Sequence, residues 1–385
     1  MPGELANLVL EAVGPERAWA GVQFSSEFQA AGGEKVFPPS YPVEGRERDA
    51  SPYLSEKRLV DGELREVVVL DQVPSQANRV ESALLRARDA GRIRLPLFEL
   101  TTATSAGEEV RITSLEFPHR YADSYLRDSH IDGTAFDKTE VGRRLRSTTP
   151  ADVRPLFEWS PESLLFGAWD SHRKGRGAKL ARVYSSSVVG FDPVEGSRKS
   201  GRMDPLNLTG AVEPGADGTW KFSPAGEKKK GAKLSEWGHG NIAPSTTHGG
   251  VVISGARRSG WLSLSGLANL RFGDAGEEAC RLARATLAAL AIAGDRLAFD
   301  FPSLWLRSGC DLVRTDQQIA FNEGGRVEAV EATAEQAIEC FHELRERTAA
   351  AGIVMAEETV AVTPQPGLAQ AIDYALTRST ATEKE

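Results

Sequence analysis

Glycine and proline are unevenly placed along the 385 residues. The 37 glycines and 20 prolines cluster in residues 30–52 and 192–250, while the segments between keep a regular apolar period. Both residues stop helices and central strands. A chain of this length, 41% hydrophobic, therefore reads as one core carrying two long insertions rather than a string of equal domains. Connections of that length inside a compact protein usually carry function. The expected organisation is one domain over residues 1–385, irregular insertions at 30–52 and 192–250, and a polar tail at 377–385 that frays.

The periodic segments predict an α+β protein. Residues 20–28 alternate loosely, and residues 66–70 place Val67, Val68 and Val69 together; both predict strands. A helix is predicted over 74–90, because Val73, Ala77, Val80, Leu84 and Ala87 recur at helical spacing, Pro74 suits a first turn and Gly91 stops it. Further strands are expected over 110–117 and 180–189, and another over 297–306 interrupted by Pro302. Helices are expected over 277–293, over 333–350 with a Thr333 to Gln336 capping box, and over 367–376. Residues 251–254 and 261–265 predict a β-hairpin that turns over 255–260, with Arg257 and Arg258 at its tip.

Charge points to a ligand class. Residues 171–233 hold thirteen basic and six acidic residues, a balance of +7, inside a chain whose total is −8. Everything outside that window therefore sums to −15. Arg173, Lys174, Arg176, Lys179 and Arg182 form one cluster, Arg198, Lys199 and Arg202 a second, and Lys228, Lys229, Lys230 and Lys233 a third. Such an island reads as a phosphate-binding surface or as a solvated loop with surplus lysines. Trp169, Tyr184, Phe191, Trp220, Phe222 and Trp237 are interleaved with these cations, which is the pairing single-stranded nucleic acid requires: cations for phosphates, flat rings for bases. The Arg143, Arg144 and Arg146 cluster adds to it.

Several chemistries are disfavoured. No two of the six histidines share the i, i+4 spacing of a helical zinc site, and Cys280, Cys310 and Cys340 lack a CxxC partner, so no metal is expected and the thiols should be buried in a reducing compartment. Asp170, Ser171 and His172 are adjacent, whereas a triad converges in space. There is no Walker A loop, no GxGxxG after a strand and no GxSxG elbow. Residues 1–10 carry no basic n-region, and the apolar run at 285–293 is too short to span a bilayer, so a soluble cytoplasmic protein is expected. The most specific stretch is residues 73–79. Ser75 and Gln76 at a helix start, with Arg79 one turn on, could present backbone N–H groups, an amide and a guanidinium to a phosphodiester, or serve as a helix cap with a surface arginine.

Three blocks in order carry a resemblance: residues 70–79, LDQVPSQANR; residues 164–172, LLFGAWDSH; and GGVVIS at 249–254 with WLSLS at 261–265. Over roughly residues 20–320 the chain resembles the backbone subunit of the type I-G (formerly I-U) CRISPR Cascade, a member of the RAMP superfamily. In the Ser-Ser-Gln-x-x-Lys-Arg signature of related subunits, Ser75 and Gln76 match the second serine and the glutamine, Arg79 takes the lysine position, Pro74 replaces the first serine and Val80 the last arginine. The resemblance implies a ferredoxin-like or RRM-like palm with a finger at 30–64 and a thumb at 192–250, whose Met203, Leu206 or Leu208 would wedge between bases. It implies a non-catalytic subunit of a cytoplasmic antiviral ribonucleoprotein, without cofactor, polymerising along CRISPR guide RNA and presenting it to target DNA. Its partners would be the guide, copies of itself, the other Cascade subunits and a recruited helicase-nuclease, with no membrane. The RNA-binding residues expected on these grounds are Ser75, Gln76, Arg79, Arg143, Arg144, His172, Arg173, Lys174, Arg176, Lys179, Arg182, Lys228, Lys229, Lys230, Arg257 and Arg258. The alternative is a metal-dependent ribonuclease acting on single-stranded RNA; some type III relatives cleave target RNA with a loop aspartate, and none of Asp71, Asp170 and Asp192 stands in a position equated with it.

Overall fold

The structure, a computed structural model, describes residues 2–16, 18–33, 35–42, 50–170, 179–215, 219–224 and 231–382. Its strands of functional interest are β1 (Gly21–Ala30), β2 (Lys35–Val36), β3 (Ser55–Val60), β4 (Glu63–Asp71), β5 (Tyr184–Phe191), β6 (Val194–Arg202), β7 (Ala211–Pro214), β8 (Trp220–Ser223), β9 (Ala232–Lys233), β10 (Ile242–Val252), β11 (Ala256–Ser263), β12 (Ser303–Leu306), β13 (Cys310–Asn322) and β14 (Val327–Val330). The main helices are α1 (Pro2–Ala12), α2 (Val73–Asp89), α3 (Glu277–Phe299) and α4 (Ala334–Ala350).

The largest sheet has the order β12-β13-β1-β11-β5-β4-β3, with β14 also on β13. Its neighbours are all antiparallel. Taken along the chain, β1, α2, β5, β11, α3 and β13 give a β-α-β-β-α-β succession, and their spatial order is fourth, first, third, second. Because β1 and β5 each lie antiparallel to β11, they run parallel to each other, joined by a crossover through α2. The architecture is mixed α+β.

Alternation explains which face holds the helices. On β11, Ala256, Arg258, Gly260 and Leu262 are buried, whereas Arg257, Ser259, Trp261 and Ser263 are partly or fully open. Val22, Phe24, Ser26 and Phe28 of β1 share the buried side. Against that side lie α2 and α3, the latter buried on nearly all its surface from Leu282 to Phe299. Further packing by α4 and α1 against α3 explains how so apolar a helix is enclosed. The opposite face is polar: Gln23, Ser25, Ser185, Ser187 and Ser259, crossed by Trp261. Gly21 makes room for that indole, since a Cβ there would lie 2.2 Å from the ring. A second, five-stranded sheet joins Glu109–Thr113, Leu97–Ala103, Thr359–Pro364, Ser129–Ile131 and Thr134–Ala135.

Both insertions leave one end of the main sheet. Residue Ala30 at the end of β1, Phe191 at the end of β5, Ala256 at the start of β11 and Cys310 at the start of β13 all lie there, as the registers Phe28↔Ala256, Gly190↔Ala256 and Ala30↔Leu312 require. The roots are stitched together. Val36 and Lys35 of β2 pair with Val251 and Val252 of β10, and the Tyr53 hydroxyl accepts the Gly250 N–H at 3.1 Å. The described part of residues 192–250 forms an arm: a long β6/β10 ribbon capped by a β8-β7-β9 sheet that buries Ala211, Val212 and Leu234.

Other sequence expectations also change. There is no hairpin over 251–265, because β10 belongs to the arm's sheet and β11 is central in the main one, so Arg257 and Arg258 lie within a strand rather than at a tip. Residues 297–299 continue α3, and Pro302 precedes β12 instead of interrupting it. The last helix runs Pro366–Thr382, longer than the 367–376 expected. Among the described residues no helix is long and apolar enough to cross a membrane.

Candidate nucleic-acid interface

The chain enters α2 from β4 with no break beyond Gln72, and Pro74 occupies the first turn. That geometry splits the residues of this motif. Ser75 is exposed, with the first-turn N–H groups beside it. Gln76 is fully buried: its amide donates to Asp71, and its carbonyl accepts from Ser186 Oγ at 3.0 Å and Arg258 Nε at 3.1 Å. Arg258 is equally buried, ion-paired with Asp295, 2.6 Å from the Tyr184 hydroxyl, and set 3.5 Å from the Phe299 ring centroid. Burial would raise the Asp295 carboxyl, but Arg258 and Arg296 outweigh it and hold it below its ordinary value. As placed, Gln76 and Arg258 reach no external phosphate; they clamp α2 and α3 to the sheet.

Arg79 is a quarter exposed. Its Nη1 donates to the Trp305 carbonyl at 3.2 Å, and its Nη2 lies 3.7 Å from Asp71. Burial lowers its pKa, an effect Asp71 opposes. Beside it opens a cleft of about 470 Å³ between Tyr41, Gln72 and Ser75 on one side and Arg307 and Ser308 on the other. Gln72 donates to the Tyr41 hydroxyl at 2.9 Å, tying the finger-like insertion to the helix start. Arg307 is exposed and faces no carboxylate at ion-pair distance among the described residues, while the neighbouring Trp305 is 63% exposed. Neither was singled out in the sequence. The signal available was a Trp-Leu-Arg run following the Pro302 break.

The remaining cations are distributed. Arg143 and Arg144 lie exposed on a short helix, the first donating to the Lys138 carbonyl at 2.7 Å and the second paired with Glu158 at 3.0 Å. Lys179 Nζ sits 5.1 Å from the ring centroid of exposed Trp169, and exposed Arg182 follows three residues on. Arg257 is engaged by Glu27 and by a two-pronged contact with Asp61 at 2.9 and 3.0 Å, so little of its charge is left for a ligand. His172, Arg173, Lys174, Arg176, Lys228, Lys229 and Lys230 lie outside the described residues.

At the arm's far end the turn after β6 is held open to solvent. Asp204 accepts the N–H groups of Leu206 at 2.9 Å and Gly240 at 2.6 Å, which depress its pKa, and Arg202 donates to the carbonyls of Ser235, His239 and Gly240. The fixed turn presents Met203, 92% exposed, and Leu206, 77% exposed, with Leu208, Trp220 and Phe222 also open. Among the described residues no group of three histidine, cysteine or acidic side chains is placed to hold a metal ion. Asp170 is buried against Arg146 at 2.7 Å.

Residues 22–194 match the model of a family described as CRISPR-associated protein GSU0053 (Cas_GSU0053). The match supports a CRISPR-associated protein. It spans β1, the finger-like insertion, α2 and β5, and ends where the arm begins. A role in CRISPR defence is thereby supported, and the motif at α2 and the polar serine face of β5 both fall inside the matched residues. No curated protein matches the chain.

Proposed function

We propose that this CRISPR-associated protein is a non-catalytic guide-RNA-binding backbone subunit of a type I-G Cascade, of RAMP type, that polymerises along the guide and presents it to target DNA. The observation that carries the reading is the arm: a cation-bearing β-ribbon outside the core whose hydrogen-bonded turn exposes Met203 and Leu206. Exposed apolar side chains of that size are costly in water unless a partner covers them, and unstacked bases supply such a surface. The β-α-β-β-α-β succession, with its 4-1-3-2 order, supports reading the main sheet as a ferredoxin-like palm, and the departure of both insertions from one sheet end supports reading them as finger and thumb.

In this reading the guide backbone passes the start of α2, where Ser75, the first-turn N–H groups, Arg79 and Arg307 offer donors. Gln76 and Arg258 act beneath it by holding α2 in place. Arg143, Arg144, Lys179 and Arg182 add phosphate contacts, with Trp169 and Trp305 available for stacking. The same role is assigned, on charge alone, to the cations of residues 172–176 and 228–230. Expression with a guide array tests it: RNA of regular size and filaments seen by negative stain are the expected result. Monomeric, RNA-free protein, or divalent-metal-dependent shortening of a labelled RNA, would overturn it.

A further inference from the structure

The main sheet is interrupted at one margin. On the side of β13 away from β1, β12 pairs with residues 310–313 and β14 with residues 319–322. Between them, on this side and among the described residues, residues 314–318 have no strand partner; Arg314 N–H bonds the Pro302 carbonyl, and residues 315–318 make no backbone bond to a neighbour there. The gap spans roughly 17 Å of extended chain. A cleft of about 790 Å³ opens over it, walled by the end of α3 and the start of α4.

Two further observations indicate what fits there. Arg296 lines the cleft with its side chain only 4% exposed, and its Nε has no hydrogen-bond partner among the described residues although Nη2 is held by Asp295 at 2.7 Å. A buried N–H of this kind calls for an acceptor such as a peptide carbonyl. The wall is also acidic. Asp300 is paired with Arg314 at 3.3 Å, but Asp316 and Glu331 are exposed and have no ion partner among the described residues. A phosphate ligand would meet those two carboxylates.

We propose that this gap is a docking groove for a basic, extended peptide segment of a partner protein, which completes the sheet margin between β12 and β14. The incoming backbone pairs with residues 316–318 and offers a carbonyl to Arg296, and its lysine or arginine side chains reach Asp316 and Glu331. An acidic residue on a strand margin repels other acidic margins while admitting a basic strand. The site is separate from the cleft at α2, so the inference does not depend on where guide RNA runs.

The test uses the full chain and a fluorescein-labelled octapeptide alternating lysine with valine, capped at both ends, followed by anisotropy. Saturable binding is expected. Asp316→Lys with Glu331→Lys, both exposed and so expected to keep the thermal midpoint, weakens it at least tenfold, as does N-methylation of alternate peptide amides. A glutamate version binds only the charge-reversed variant. No saturable binding, binding indifferent to the charge reversal or to N-methylation, or displacement of the peptide by single-stranded RNA overturns the proposal. A concentration-dependent dimer of the wild type that the double variant loses overturns it too, because a second copy would then occupy the groove.

Discussion

Arg258 shows why residue identity alone misleads at this site. An arginine in a polar stretch reads as a ligand for phosphate, yet its partners Asp295 and Gln76 lie 37 and 182 residues away, and only the folded sheet brings them together. Removing one member of a fully buried pair strands the other charge. Arg258→Met should therefore cost about 3–5 kcal/mol in urea unfolding, while Arg258→Met with Asp295→Leu should recover much of the loss. A single variant as stable as wild type would contradict the clamp. Glu162 offers a pH readout. Burial, opposed in part by the Ser160 hydroxyl, pushes its carboxyl from 4.5 up to about 7. The folded state then holds a proton that the unfolded chain has released, so stability is full below about pH 4.5 and falls as pH rises toward 7. Glu162→Gln should flatten that decline, worth on the order of 1–3 kcal/mol, in melts recorded from pH 5 to 8.

At the scale of elements, legibility followed locality. Helix α2 was readable because its proline and its apolar spacing lie within its own 17 residues and the glycine stop, Gly91, follows two residues beyond them, and the Thr333 to Gln336 box marked α4 equally well. Strand β11 was not: Gly255 and Gly260 read as a turn. Gly260 in fact sits mid-sheet, where a Cβ would come within 3.1 Å of Phe24 and 3.3 Å of Ser186, a constraint imposed by two other strands. The two roles open to the start of α2 can be separated by Ser75→Asp. A carboxylate in a first turn favours the helix by about 0.3–1 kcal/mol but repels phosphate, so the thermal midpoint should hold or rise while RNA affinity falls. Unchanged affinity would remove this turn from the interface. For the arm, the register Arg202↔Ile242 places the ribbon's far ends side by side, so a short Gly-Ser link can replace residues 203–241. The core should then melt as before, and regular RNA assemblies should fail to form. Assemblies of normal length from this deletion would show that Met203 and Leu206 are not wedges.

Across the whole molecule, charge makes the strongest statement. With −15 outside residues 171–233 and +7 within them, most of the surface repels a polyanion, and binding should be confined to the insertion side and the cations at α2. Cations alone do not decide this, because several are already neutralised: Arg257 by Glu27 and Asp61, Arg144 by Glu158, Arg146 by Asp137 and Asp170. Those left over, such as Arg307 and Lys179, make the useful count smaller than the sequence total. For single-stranded RNA each neutralised phosphate contributes about −0.7 to the slope of log affinity against log salt. A subunit using four to six free cations should then give a slope of roughly −3 to −4, measured by filter binding between low and physiological salt. Sequence preference should be weak, since backbone contacts carry no base information. Arg307→Ala should make the slope shallower by about one contact, roughly 0.7, whereas Arg257→Ala, whose charge is spent inside the protein, should leave it unchanged. Equal effects from the two substitutions would mean that the ion pairs around Arg257 open when RNA binds, and that the interface reaches onto the sheet itself.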